Sequence, residues 1–162
     1  MMVSRSLAFL PRLAASGLLA AALAGCSIGG SGTAAALAPG LSARMDQPGA
    51  NLDRAGAVGL VNAYRASVGA PALGSDTGLD TTAQALASQY AATGTAPKLP
   101  AGAVAIRISA GYSNFAETFS GWRNSSADAA VLANRQAGRA GVGVAFNGAS
   151  TYGTYWVLLL GN

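Results

Sequence analysis

Apolar residues recur every three or four positions between Asp53 and Gly69, where Ala57, Leu60, Val61, Tyr64 and Val68 fall on one helical face. Asp53 is placed to cap the start of that helix and Gly69 its end. Pro71 to Asp76 reads as a turn. Asp76 or Thr77 then caps a second helix, which carries Leu79, Ala83, Leu86, Ala87 and Tyr90 on one stripe and stops at Gly94. Two prolines make 95–104 a loop. Phe115, Phe119 and Trp122 repeat at helical spacing and give a short third helix from about Asn114. Ser125-Ser126-Ala127-Asp128 has the form of a capping box with Asp in place of Glu, so a last short helix is expected through Ala129 to Leu132. The period then falls to two: Val142, Val144 and Phe146 alternate, as do Tyr155, Val157 and Leu159. Two strands joined across Asn147 to Gly153 make a hairpin with a loop longer than two residues. No internal repeat is evident.

The N-terminal quarter follows different rules. Arg5 and Arg12 form a basic region ahead of an apolar run, Leu13 to Leu23, that is too short to span a bilayer as a mature helix. The run closes on Leu23-Ala24-Gly25-Cys26, which resembles a bacterial lipobox. Residues 1–25 are therefore read as a lipoprotein signal peptide, with Cys26 as the lipid-attachment residue and the first residue of the mature chain. The alternative is a plain secretory signal with a small-residue cleavage site and Cys26 as a bystander thiol. Acylation would anchor the chain to a membrane without inserting it. Ser27 stands where lipoproteins kept in the inner membrane often carry Asp, which favours the outer membrane, facing the periplasm. Residues 26–52 are rich in Gly, Ser, Ala and Pro and read as a flexible tether, leaving 53–162 as the domain.

Composition narrows the chemistry. Charged residues make up 10% of the 162 positions, and loss of two arginines with the signal lowers the formal charge from +4 to +2. That is no nucleic-acid footprint, which needs basic side chains clustered on one face. The chain contains no histidine and one cysteine. Ser-His-Asp and Cys-His catalysis are excluded, as are imidazole-based zinc sites and an intrachain disulfide. Lys98, the only lysine, sits in Thr95-Ala96-Pro97-Lys98, where a surface turn explains it better than a hydroxyl–lysine dyad. Asp76 and Asp80 flank a helix start, where capping accounts for both.

Leu60-Val61-Asn62-Ala63-Tyr64-Arg65, then Gly69, Pro71 and Leu73, then Ala83, Ala87 and Tyr90 resemble the opening of a CAP domain, the family of cysteine-rich secretory proteins, antigen 5 and pathogenesis-related 1. Ser109-Ala110-Gly111-Tyr112, Ala116-Glu117, Phe119 to Ser125, Gly141-Val142-Gly143-Val144 and Tyr155-Trp156-Val157 follow in the family's order, so the resemblance covers about residues 55 to 160. It implies an α+β fold, an α-β-α sandwich in which a small antiparallel sheet carries helices on both faces, compatible with the elements above. In many CAP domains a central cleft holds two histidines and two acids that can bind a divalent metal. Those positions fall on Lys98, Ile106, Asp128 and Arg139, and all four depart from the pattern. Two cations, one alkyl group and one carboxylate do not suit zinc, so no metal and no other cofactor is expected. Asp128 reads as a helix-capping carboxylate paired with Arg139.

Phe115, Phe119, Trp122, Tyr155 and Trp156 either pack the core or line an apolar cleft of the kind some CAP proteins use for sterols or fatty acids. Tyr112, Trp122 and Trp156 are the candidate ligand contacts, and Tyr112 and Trp156 the side chains expected to be partly exposed. The reading is a membrane-anchored, periplasm-facing binding or envelope-structural module without enzymatic activity. Its partners would be the membrane and either an envelope protein or a small lipid. A hydrolase using a non-histidine site is the alternative.

Overall fold

The computed structural model of the chain describes residues 38–47 and 49–162. Cys26 and the proposed leader lie outside the described residues. The four longer helices begin where polar caps stand. Asp53 accepts from the Gly56 N–H at 2.8 Å and starts α2 (Arg54–Ser67), and Asp76 accepts from the Leu79 N–H at 2.9 Å and starts α3 (Thr77–Thr93). Asn114 and Ser125 do the same for α4 (Phe115–Asn124) and α5 (Ser126–Leu132). Gly69, just past the C-cap of α2, and Gly94, the C-cap of α3, are both at positive φ, where glycine adopts the left-handed turn without strain.

Four strands form one sheet in the order β1-β3-β4-β2: β1 (Gly74–Ser75), β2 (Ala105–Ala110), β3 (Arg139–Asn147) and β4 (Gly153–Gly161). The two long hairpin strands pair from Arg139↔Gly161 to Asn147↔Gly153, and β2 pairs antiparallel along the far side of β4. The sheet is mixed, because β1 pairs parallel to β3 through Gly74↔Arg139 and Ser75↔Ala140. Alternation sorts the side chains by face. Trp156, Leu158, Leu160, Val142 and Ala140 join Val58, Val61, Phe115, Phe119, Trp122 and Leu132 in one core, and Val157, Leu159, Ile106 and Ile108 join Ala83 and Ala87 of α3 in another. The result is the expected sandwich, with α3 on one face and α2, α4 and α5 on the other.

Three features depart from the sequence reading. The segment read as tether to residue 52 is packed from Ala38 onward: Pro39–Ser42 form α1, Leu41, Met45 and Leu52 are buried, and the Met45 N–H donates to the Ser113 carbonyl at 2.8 Å. Apolar residues spaced irregularly among glycine and proline carry no helical period, which hid them. The second feature is β2, whose Val104-Ala105-Ile106-Arg107-Ile108 alternation lies directly after the proline loop. The third is Arg65, fully buried in α2 where the apolar stripe predicted Val68, which is instead exposed. Arg65 donates to the carbonyls of Pro71, Leu132, Asn134 and Ala137, tying together the loops after α2 and α5. Burial, and secondarily the Arg135 cation, push its pKa down.

Candidate functional site

The four positions implied as the family cleft do not converge. Lys98 is exposed on the loop that leaves the C-terminal end of α3, and Arg139 sits beside the N-terminal end of the same helix. A helix of 17 residues separates those ends by about 25 Å. Ile106 packs under α3 with Val157 and Leu159, whereas its neighbour Arg107 projects to the opposite face of β2, toward α5.

Asp128 is bound within the fold, but not as expected. Its Oδ1 accepts from Arg107 Nη1 at 2.9 Å, with both side chains a little under one-third exposed. Arg139 donates instead to Asp76 at 2.6 Å and to the Asn162 carbonyl, so the Asp128–Arg139 pairing is replaced by two separate ion pairs. The Leu79 N–H, and then Arg139, hold the Asp76 carboxyl below its ordinary range. Asp128 does not cap with its carboxylate either. Its N–H donates to the Ser125 hydroxyl, which is the cap. Arg107 Nε is buried without a hydrogen-bond partner among the described residues, which limits what this pair contributes.

Of the three aromatic ligand contacts, only Tyr112 is exposed. Trp122 and Trp156 are core residues whose indole N–H groups donate to the carbonyls of Ile108 at 3.0 Å and Tyr112 at 2.9 Å. Phe115 lies between them, its ring centroid 6.2 Å from Trp122 and 5.8 Å from Trp156. An apolar cleft built on these tryptophans is therefore replaced by packed side chains.

The sequence reading passed over a polar groove of about 530 Å³ beside the outer edge of β3, lined by Arg54, Thr77, Asp80, Thr81, Gln84, Ala85 and Ser88. Because β1 covers only the start of β3, the next main-chain groups of that edge are met by side chains. Asp80 accepts from the Val142 N–H at 2.8 Å, Arg54 Nε donates to the Val142 carbonyl at 2.9 Å, and Gln84 donates to the Val144 carbonyl at 2.7 Å. Arg54 also donates to Gln84 Oε1 at 2.8 Å. These three close the exposed edge as a third strand would. One signal for them is legible in the sequence. Arg54 stands in the first turn of a helix, where the dipole disfavours a cation, so its charge has a use outside the helix. Asp80 and Gln84, four apart, share a face of α3.

No three His, Cys, Asp or Glu side chains come together among the described residues, and no helix among them is long and apolar enough to cross a membrane. The arrangement of helices, sheet and Gly-Val-Gly-Val strand has counterparts among known proteins. The model of the cysteine-rich secretory protein family, CAP, matches residues 58–160. The chain belongs to this family. Among solved structures, this CAP chain is similar to MpPR-1i, at 20% identity and a TM-score of 0.53 over 64% of this chain and 82% of that one. It is also similar to an extracellular protein containing a SCP domain from Bacillus anthracis str. Ames, at 18% identity and a TM-score of 0.56. That alignment covers 67% of this chain and 40% of the Bacillus protein, so the chain accounts for well under half of its length. At these identities the likeness is one of fold. A comparison with curated protein sequences gave no match.

Proposed function

We propose that this CAP domain is a lipid-anchored, periplasm-facing module of the bacterial envelope that binds a partner and does not catalyse. The observation that carries the reading is the state of Asp128. The one acid left at the family cleft positions has its charge met by Arg107 at 2.9 Å, so no free base stands there. Lys98, Ile106 and Arg139 contribute a cation, an alkyl group and a second guanidinium, in three separate parts of the molecule. A divalent metal does not fit this donor set, since it takes imidazole, thiolate or oxygen ligands gathered on one centre. With no imidazole in the chain, general-base catalysis of the Ser-His kind has no base to use. Support for the anchor comes from Leu23-Ala24-Gly25-Cys26, and support for the outer membrane from Ser27. Several acyl chains, at about 0.8 kcal/mol per buried methylene, would hold the protein at the bilayer.

Two measurements test the two halves. Mass spectrometry of protein extracted from membranes should show a chain beginning at acylated Cys26, and a soluble protein with a free Cys26 thiol would remove the anchor. Calorimetric titration with zinc should give no heat above dilution and leave the melting temperature unchanged, whereas saturable micromolar binding would restore the metal site.

A further inference from the structure

The two edges of the sheet are finished differently. On the β3 edge, β1 and then Asp80, Arg54 and Gln84 supply partners to the main chain. β2 forms the other edge, and alternation fixes which of its groups face out. The Gly111 N–H donates to the Thr154 carbonyl of β4 at 2.9 Å, so Ser109 and Arg107, on the same alternation, also turn their main chain toward β4. Ile106, Ile108 and Ala110 turn theirs outward. Among the described residues one hydrogen bond meets these outward groups, from the Trp122 indole to the Ile108 carbonyl at 3.0 Å. That indole is buried in the core over one face, so it does not stand outside the edge, and the carbonyl keeps a second lone pair. All of β2 is part-exposed, although Ile106 and Ile108 pack against the α3 side and Arg107 points toward α5. Residues facing either layer keep some exposure, and what they share is the open edge. By contrast β4, with a strand on each side, is buried from Thr154 to Gly161.

We propose that β2 pairs antiparallel with β2 of a second copy of this chain, about a two-fold axis at Ile108, joining two four-stranded sheets edge to edge. The outward groups are symmetric about that residue. Ile106 meets Ala110 of the partner subunit and Ile108 meets its own counterpart, each pair exchanging both of its main-chain hydrogen bonds. The side chains agree with this register. Arg107, the only charged residue of the strand, falls opposite Ser109 of the partner subunit, and the isoleucines and Ala110 meet on the α3 side. An axis centred on Arg107 would instead set two guanidinium groups directly opposite each other, which is destabilising. Apolar surface flanks the edge as well: exposed Leu99 shares a groove with Leu86, which packs on the cluster that holds Ile106 and Ile108. An unpaired strand edge is a template for another strand, and the self-complementary register selects a second copy over an unrelated one.

The test uses the full chain carrying Cys26→Ser, in which neither acylation nor an intermolecular disulfide can join two copies. Analytical ultracentrifugation should show a monomer–dimer equilibrium. In amide exchange the N–H groups of Ile106, Ile108 and Ala110 should slow as the protein concentration rises, while those of Arg107 and Ser109, already bonded to β4, should not depend on it. Ser109→Arg sets like charges opposite each other on both sides of the axis and should weaken the dimer about tenfold, whereas Ser109→Glu, at the same part-exposed position, should leave it at least as tight. A single species of monomer mass from micromolar to millimolar concentration overturns the proposal. So does a dimer indifferent to both substitutions whose three outward amides exchange freely, because its contact then lies on another surface.

Discussion

Toward α3 the sheet presents Gly141, Gly143 and Gly161, and toward α2, α4 and α5 it presents Trp156, Leu158 and Leu160. On the glycine face a Cβ added at Gly141 would stand 2.3 Å from the backbone of Leu79 and Asp80, and one added at Gly143 would stand 2.3 Å from the Ala83 carbonyl carbon. Helix and sheet meet there backbone to backbone, with Ala83 and Ala87 completing the contact. On the other face large rings fill the space, and one buried arginine satisfies the carbonyls of two loops. The first face gains its stability from proximity and the second from volume. They should fail differently when altered.

Arg65 offers the largest test of the voluminous face. Arg65→Met keeps the stem of the side chain but takes the donors from two buried and two part-buried carbonyls, the buried ones each costing about 1–3 kcal/mol when left unpaired. Against a total of about 5–15 kcal/mol for a small domain, that loss should move the urea midpoint followed by circular dichroism far below the parent's. A urea midpoint within error of the parent would show that water replaces the guanidinium. Gly143→Ala probes the close face and should cost about 1–3 kcal/mol by overpacking. Adding Ala83→Gly should not restore the melting temperature, because the obstruction is backbone; full rescue would mean that α3 is held off by side chains after all. The smallest effect belongs to the ion pair at α5. A double-mutant cycle between Arg107 and Asp128 should give a coupling of about 0.2–1 kcal/mol for a partly exposed pair. The cycle between Asp128 and Arg139 should give none, and a coupling there as large as the first would contradict the observed pairing.

The contrast between faces also explains what could be read in advance. Helix starts at Asp53, Asp76, Asn114 and Ser125 were legible because a cap is a local hydrogen bond written in the residue type. The hairpin is legible from period two, and the shared helical face of Phe115, Phe119 and Trp122 from period 3.6, although that period does not separate a packed core from an apolar cleft. Nothing in a hydrophobic pattern marks Gly141 and Gly143 as a contact surface, since a glycine contributes no side chain to the period. Arg65 was missed for the opposite reason: a charge interrupts an apolar stripe, although its four acceptors compensate its burial. Candidate site residues were least legible of all. The partners of Asp128 and Arg139 depend on which side of a strand each neighbour faces, and the short alternation of β2, which carries Arg107, is masked by the proline loop it follows.

The position of β4 sets an order of assembly. β2 and β3 each run along one side of it and do not touch each other, with Ala105 pairing to Leu160 and Ala140 to Leu160 from the opposite side. Until residues 153–161 have been synthesised, β2 has no strand to pair with, the aromatic core lacks Trp156, and the floor beneath α3 lacks Val157 and Leu159. Helices with local caps can form earlier, but the packing of both cores waits for a segment far along the chain, a topology of long-range closures that folds slowly. Both cores therefore close in one step, when β4 takes its place between β2 and β3.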